Sequence, residues 1–182
     1  MLAWALIPHV GYSAARTTNA FTRAVELSRK TGNRSRLMFA LSGQAVVMMT
    51  RGDHAQLASI ADDLERIGSE TDNDFVWFYG VLARGYELLL RANIEQGQQN
   101  LREAKALHSD EHERQGLRAG YPLWDCLLWW EGMGAWLAGD MEVADALRDS
   151  IDNALSHEDL TLSPFTRCWV PMFHTLLAGS AS

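Results

Sequence analysis

The stretch Leu128-Trp129-Trp130-Glu131-Gly132-Met133-Gly134-Ala135-Trp136-Leu137-Ala138-Gly139-Asp140-Met141-Glu142-Val143-Ala144 decides the fold. An apolar helical run ends at Gly139, Asp140 follows, and an amphipathic run opens behind it. Glycine enters the left-handed region without the steric cost of a Cβ and so closes a helix. The aspartate carboxylate then accepts from the free N–H groups of the next one. The same junction recurs at Gly52-Asp53 and, with alanine for glycine, at Ala92-Asn93. Seven residues before each lies a small residue, Ala45, Gly85 or Gly132, and five after its first member lies Leu57, Gly97 or Ala144. Small side chains in mid-helix let a neighbouring helix approach closely. Junctions 40 and 47 residues apart fall in the range of stacked helical hairpins, none of which buries its apolar face alone.

Working outward from these junctions, the chain reads as one all-α domain over residues 1–182. Helices are expected at about 2–10 and 15–30, 35–50 and 54–68, 72–91 and 94–108, and 122–138 and 141–156. These make four hairpins, about 2–30, 35–68, 72–108 and 122–156, followed by a last helix at about 164–178 that Pro171 should kink or delay. First helices are apolar nearly all round, as in Phe75 to Leu82 and Leu123 to Leu137. Second helices are amphipathic, with Leu57, Ile60, Leu64 and Ile67 opposite Asp62, Asp63, Glu65 and Arg66. In a superhelical stack the first helices would line the concave wall. The charged segment His108 to Tyr121, with Gly116 and Gly120, reads as a loop or short irregular insertion. Both ends are apolar, at Leu2, Trp4 and Leu6 and at Trp169, Phe173, Leu176 and Leu177, which points to a piece of a longer protein, a covering partner, or self-association through uncapped ends.

Composition narrows the class. Hydrophobic content of 47% with four prolines suits an ordered chain, and 182 residues are enough to bury a core. The net charge is −7, yet residues 1–38 carry six basic side chains and only Glu26. Arg16, Arg23 and Lys30 recur every seven residues on one helix face, which reads as a solvated face or one that docks on an acidic neighbour. Without aromatic interleaving or a groove-reading motif, direct binding of nucleic acid is not expected. Cys126 and Cys168 sit in apolar helical contexts and read as buried free thiols of a cytoplasmic protein. No apolar run reaches transmembrane length, and the start makes a poor signal peptide.

Catalytic signatures are missing. There is no Gly-Lys dipeptide for a phosphate-cradling loop and no Gly-x-Ser-x-Gly elbow, so no catalytic residue and no cofactor is expected. His108 and His112 have the spacing of two metal ligands on a helix but no third ligand at fixed spacing, so they read as solvated polar residues and no metal is expected. Tryptophan is another matter: Trp124, Trp129, Trp130 and Trp136 fall within thirteen residues of one predicted wall helix. Either they only pack helices together, or at least one indole faces the groove and stacks on a ligand. The groove candidates are Trp77, Tyr86, Trp124, Trp129 and Trp136 as rigid apolar area, with Arg84 and Asp125 fixing orientation.

The punctuation resembles tetratricopeptide repeats, most closely in Leu128-x3-Gly132-x6-Gly139-Asp140-x3-Ala144 and Val81-x3-Gly85-x6-Ala92-Asn93-x3-Gly97. Phe21 to Leu27, Thr50-Arg51-Gly52-Asp53, Ala138-Gly139-Asp140 and Leu162-Ser163-Pro164-Phe165 are similar to the tetratricopeptide tail of bacterial signalling ATPases. Those include LuxR-type transcriptional regulators and ATPase-coupled class III adenylate or guanylate cyclases. Around Ala119-Gly120-Tyr121-Pro122 the chain departs from that pattern. The resemblance implies a tetratricopeptide-like α-solenoid acting as a regulatory region, whose concave face binds a protein segment or an upstream ATPase or output domain. A small-molecule sensor enclosing a metabolite in the same groove is the alternative.

Overall fold

The computed structural model describes Leu6 and residues 9–118 and 123–156, the side chains of 117, 118, 125 and 150–156 excepted. The expected last helix at 164–178, its Pro171, Cys168 and all the apolar end residues but Leu6 lie outside the described residues. Within them the fold is all-helical and no strand occurs. The helices are α1 (Ala15–Thr31), α2 (Arg34–Arg51), α3 (His54–Thr71), α4 (Asp74–Leu90), α5 (Ile94–Leu107), α6 (Asp110–Arg118), α7 (Leu123–Ala138) and α8 (Met141–Ser156). No helix among the described residues is long and apolar enough to cross a membrane. The chain forms two compact units, residues 1–91 and residues 92–182.

One local device ends helix after helix. Gly32, Gly52 and Gly139 adopt φ of 64°, 66° and 80°, and Asp72 and Ala92 enter the same left-handed region at 50° and 61°. The residue behind the closing one turns its N–H back onto a carbonyl five residues earlier: Asn33 to Ser28, Asp53 to Met48, Asn73 to Gly68 and Asp140 to Ala135, at 2.9 to 3.1 Å. Its side chain then caps the following helix, with Asn33, Asp53, Asn73 and Asp140 accepting from the N–H of Arg36, Gln56, Val76 and Val143. These are the 6→1 closure and the N-cap that satisfy otherwise orphaned backbone groups. The Asp72-Asn73 copy has no glycine and no small residue to announce it. With it, the closing residues 32, 52, 72 and 92 succeed one another at intervals of 20.

In the first unit, consecutive helices pack on each other, most extensively α3 on α4. Glycines set that approach. A Cβ built on Gly68 of α3 would lie 2.5 Å from the Trp77 backbone nitrogen of α4, and one on Gly80 of α4 would lie 2.7 Å from the backbone nitrogen of Glu65 in α3. Backbone thus meets backbone at two places along the pair. Gly43 of α2 likewise lies against the ring of Phe21 on α1, which is itself 1% exposed. The core around these contacts includes Leu41, Val47, Leu57, Leu64, Phe78 and Leu82, none more than 1% exposed. In the second unit α7 is the centre, packing on α5, α6 and α8. It buries Leu123, Cys126, Leu127, Leu128, Trp129, Trp130 and Ala135, so it is apolar nearly all round, as the sequence suggests. Cys126 is buried.

The segment read as a loop is different. Residues 110–118 form helix α6. Ser109 caps it, its hydroxyl accepting from the His112 N–H at 3.2 Å. Asp110, Glu111 and Glu113 occupy its first turn, where carboxylates meet the positive end of the helix dipole. Charge density that resembles loop composition is here the composition of a helix start.

Backbone contact and left-handed closure each make a stability prediction. Gly80→Ala forces the α3 and α4 backbones apart and should cost about 1–3 kcal/mol in urea unfolding. Ala92→Gly relieves a Cβ held at positive φ and should stabilise the chain by about 1 kcal/mol by the same measurement.

Candidate functional site

The seven groove candidates separate by unit. Trp77, Arg84 and Tyr86 belong to α4 in the first unit. Tyr86 is 4% exposed, and Trp77 is half-buried with its backbone against Gly68. Arg84 pairs with Asp62 and, at 3.4 Å, with Glu65, both on α3. Burial works against its positive charge, but the hydrogen bonds and fields of Asp62 and Glu65 outweigh it and hold its pKa above the ordinary arginine value. Arg84 therefore clamps α3 to α4 beside the Gly80 contact.

Trp124, Asp125, Trp129 and Trp136 belong to α7 in the second unit. Trp129 is 5% exposed and meets Trp130 edge to face, with centroids 4.7 Å apart at 88°. Trp136 is half-buried, and the Asp125 side chain lies outside the described residues. Trp124 alone of these tryptophans is exposed, at 38%.

Around Trp124 the second unit assembles a polar cluster from three helices. Lys105 of α5 places its ammonium 5.6 Å from the Trp124 ring centroid and 2.7 Å from a carboxylate oxygen of Glu131. Trp124 and Glu131 are seven residues apart on α7, two turns along one face, so the lysine spans both. The His108 ring, in the link between α5 and α6, lies 5.2 Å from the Trp124 centroid at 45°. Its Nε2 is 3.0 Å from Oε2 of Glu113, and that same oxygen accepts the Trp124 backbone N–H at 2.9 Å. Glu113 thereby caps the N-terminus of α7 from α6, putting negative charge where the helix dipole favours it. His112, the other member of the spaced histidine pair, is 7% exposed within α6. No group of three or more metal-binding side chains is assembled among the described residues.

The indole was visible in the sequence, but its setting was not. Lys105 and Glu113 become neighbours of Trp124 only through the packing of α5 and α6 on α7. The signals within reach were the seven-residue spacing of Trp124 and Glu131 and the acidic first turn behind Ser109. What results is a flat aromatic surface with cation, carboxylate and imidazole around it, suited to holding a flexible ligand through ring contact and charge. Comparison of the chain with family models, curated proteins and solved structures finds no match.

Glu113→Ala removes the cap of α7 and the partner of His108 together, and should cost about 1–2 kcal/mol in chemical unfolding. Glu113→Gln keeps an acceptor for the Trp124 N–H and should lose less than half as much.

Proposed function

We propose that the chain is a noncatalytic interaction module built of tetratricopeptide-like solenoid repeats. It serves as the docking region of a bacterial signal-transduction or transcriptional regulator and holds a protein segment or partner domain on the face carrying Trp124. The observation that carries this reading is the 38% exposure of Trp124 beside Leu123, Leu127, Leu128, Trp129 and Trp130, which the same helix buries. A rigid ring loses little conformational freedom on binding and offers large apolar area, which is why tryptophan dominates so many interfaces. Lys105, Glu113, Glu131 and His108 already order one another around it, so a partner meets a preorganised surface. The 20-residue cadence of helix closures supports the repeat assignment, and the resemblance of the punctuation to the tails of signalling ATPases supports the regulatory one.

The test is selection from a displayed library of peptides drawn from the proteome of the source cells. Peptides sharing a motif should bind the chain and lose at least about tenfold affinity, ~1.4 kcal/mol, against Trp124→Ala. They should be unaffected by Leu27→Ala on the first unit, with both variants keeping the wild-type melting profile. Retention of binding by Trp124→Ala would remove this face from the function. If no motif emerges and a metabolite mixture raises the melting temperature instead, the chain is a small-molecule sensor.

A further inference from the structure

A second surface is defined by charge. On α1, Arg16, Arg23, Leu27 and Lys30 fall within about 60° of one another around the helix axis and run for roughly 21 Å along it. All four are exposed, Leu27 at 45%. Arg16 and Lys30 meet no acidic side chain among the described residues, and the pair of Arg23 with Glu26 is solvent-exposed, with 61% and 52% of the two side chains accessible. At the other end of the described chain, α8 presents Glu142, Asp145 and Asp149 along one face, with the exposed Ala146 about 40–60° around the helix from Glu142 and Asp149. Arg148 pairs with Asp145 and Asp149 within that helix. The carboxylate side chains of Asp145 and Asp149 nevertheless remain 49% and 65% accessible and open to a second partner. The first 38 residues carry a net of +5 and the remainder −12.

We propose that the α1 face is a docking surface for the α8 face of a second copy of this chain. The basic stripe with Leu27 along its edge fits an acidic stripe edged by the small Ala146, so each contact joins cations to carboxylates beside a small apolar patch. An anionic polymer such as a nucleic acid would match the cations but leave Leu27 facing phosphates. The two faces are different, so the contact is heterologous and propagates head to tail unless the ring closes. Neither face includes Trp124, and the contact stands or falls separately from peptide binding there.

Sedimentation velocity of the full chain tests it, from micromolar to near-millimolar concentration, at about 20 mM and about 500 mM salt, where the Debye length falls from roughly 20 to 4 Å. The wild type should form dimers and larger species at low salt and revert to monomer at high salt. One triple variant (Arg16→Glu, Arg23→Glu, Lys30→Glu) and one double variant (Glu142→Lys, Asp149→Lys) should each be monomeric alone. Mixed, they should associate again, because the acidic α8 of the first meets the basic α1 of the second. A wild type monomeric throughout the range, or association that survives either reversal or high salt, overturns the proposal. A monomer that instead binds a synthetic Glu- and Leu-rich helical peptide assigns the α1 face to a foreign acidic partner and equally overturns self-docking.

Discussion

Closure of α1 to α4 and of α7 by a residue in the left-handed region, followed at once by an Asn or Asp, is the constraint on which the rest depends. The closing residue turns the backbone so that the next N–H reaches a carbonyl five residues back, and the side chain behind it satisfies the first amides of the following helix. Left-handed residues at 32, 52, 72 and 92, the first three with this full closure, accompany lengths of 17 or 18 residues, about 26 Å each, for α1 to α4. Equal lengths allow neighbours to align over their whole extent. Only then can glycines at Gly68 and Gly80 bring α3 and α4 together at two separate points. Turn chemistry fixes the frame, and small residues decide how tightly it closes.

The second unit solves a different problem. Its central helix is so apolar that it must be covered on several sides, and α5, α6 and α8 all pack on it. The N-terminus of that helix is where the covering is polar. A single carboxylate oxygen of Glu113 serves both the helix cap and His108, while Lys105 joins the ring of Trp124 to Glu131. The same interactions that anchor α6 and α5 to α7 hold the indole in place at the surface, so the candidate site is a by-product of packing as much as an addition to it.

The all-helical class was legible because glycine at a left-handed position and a capping side chain are local requirements, written in two adjacent residues. Gly52-Asp53 and Gly139-Asp140 could be read directly, whereas Asp72-Asn73 could not, since aspartate at positive φ leaves no compositional mark. Helix α6 was hidden for a related reason: Ser109 followed by three acidic residues within four positions serves equally for solvated loop and helix start. Among the site residues, Trp124 stood out by type. Its exposure, and the burial of Trp129 five positions on, depend on which side of α7 meets α5, a tertiary fact with no signature in the spacing. Lys105 and Glu113 are ordinary surface types and acquire meaning only through partners 19 and 11 residues away in sequence.

The 20-residue interval also limits how such a chain can change length. Because successive helices in the first unit reverse direction at each closure, loss or gain of one interval would invert every helix that follows and present its opposite end to each neighbour. Two intervals restore the original sense. Lengthening by duplication is therefore confined to steps of two helices, and a lone extra helix must be short and sit to one side of the alternation. The nine residues of α6, between α5 and α7 in the chain, have the short length that this rule requires.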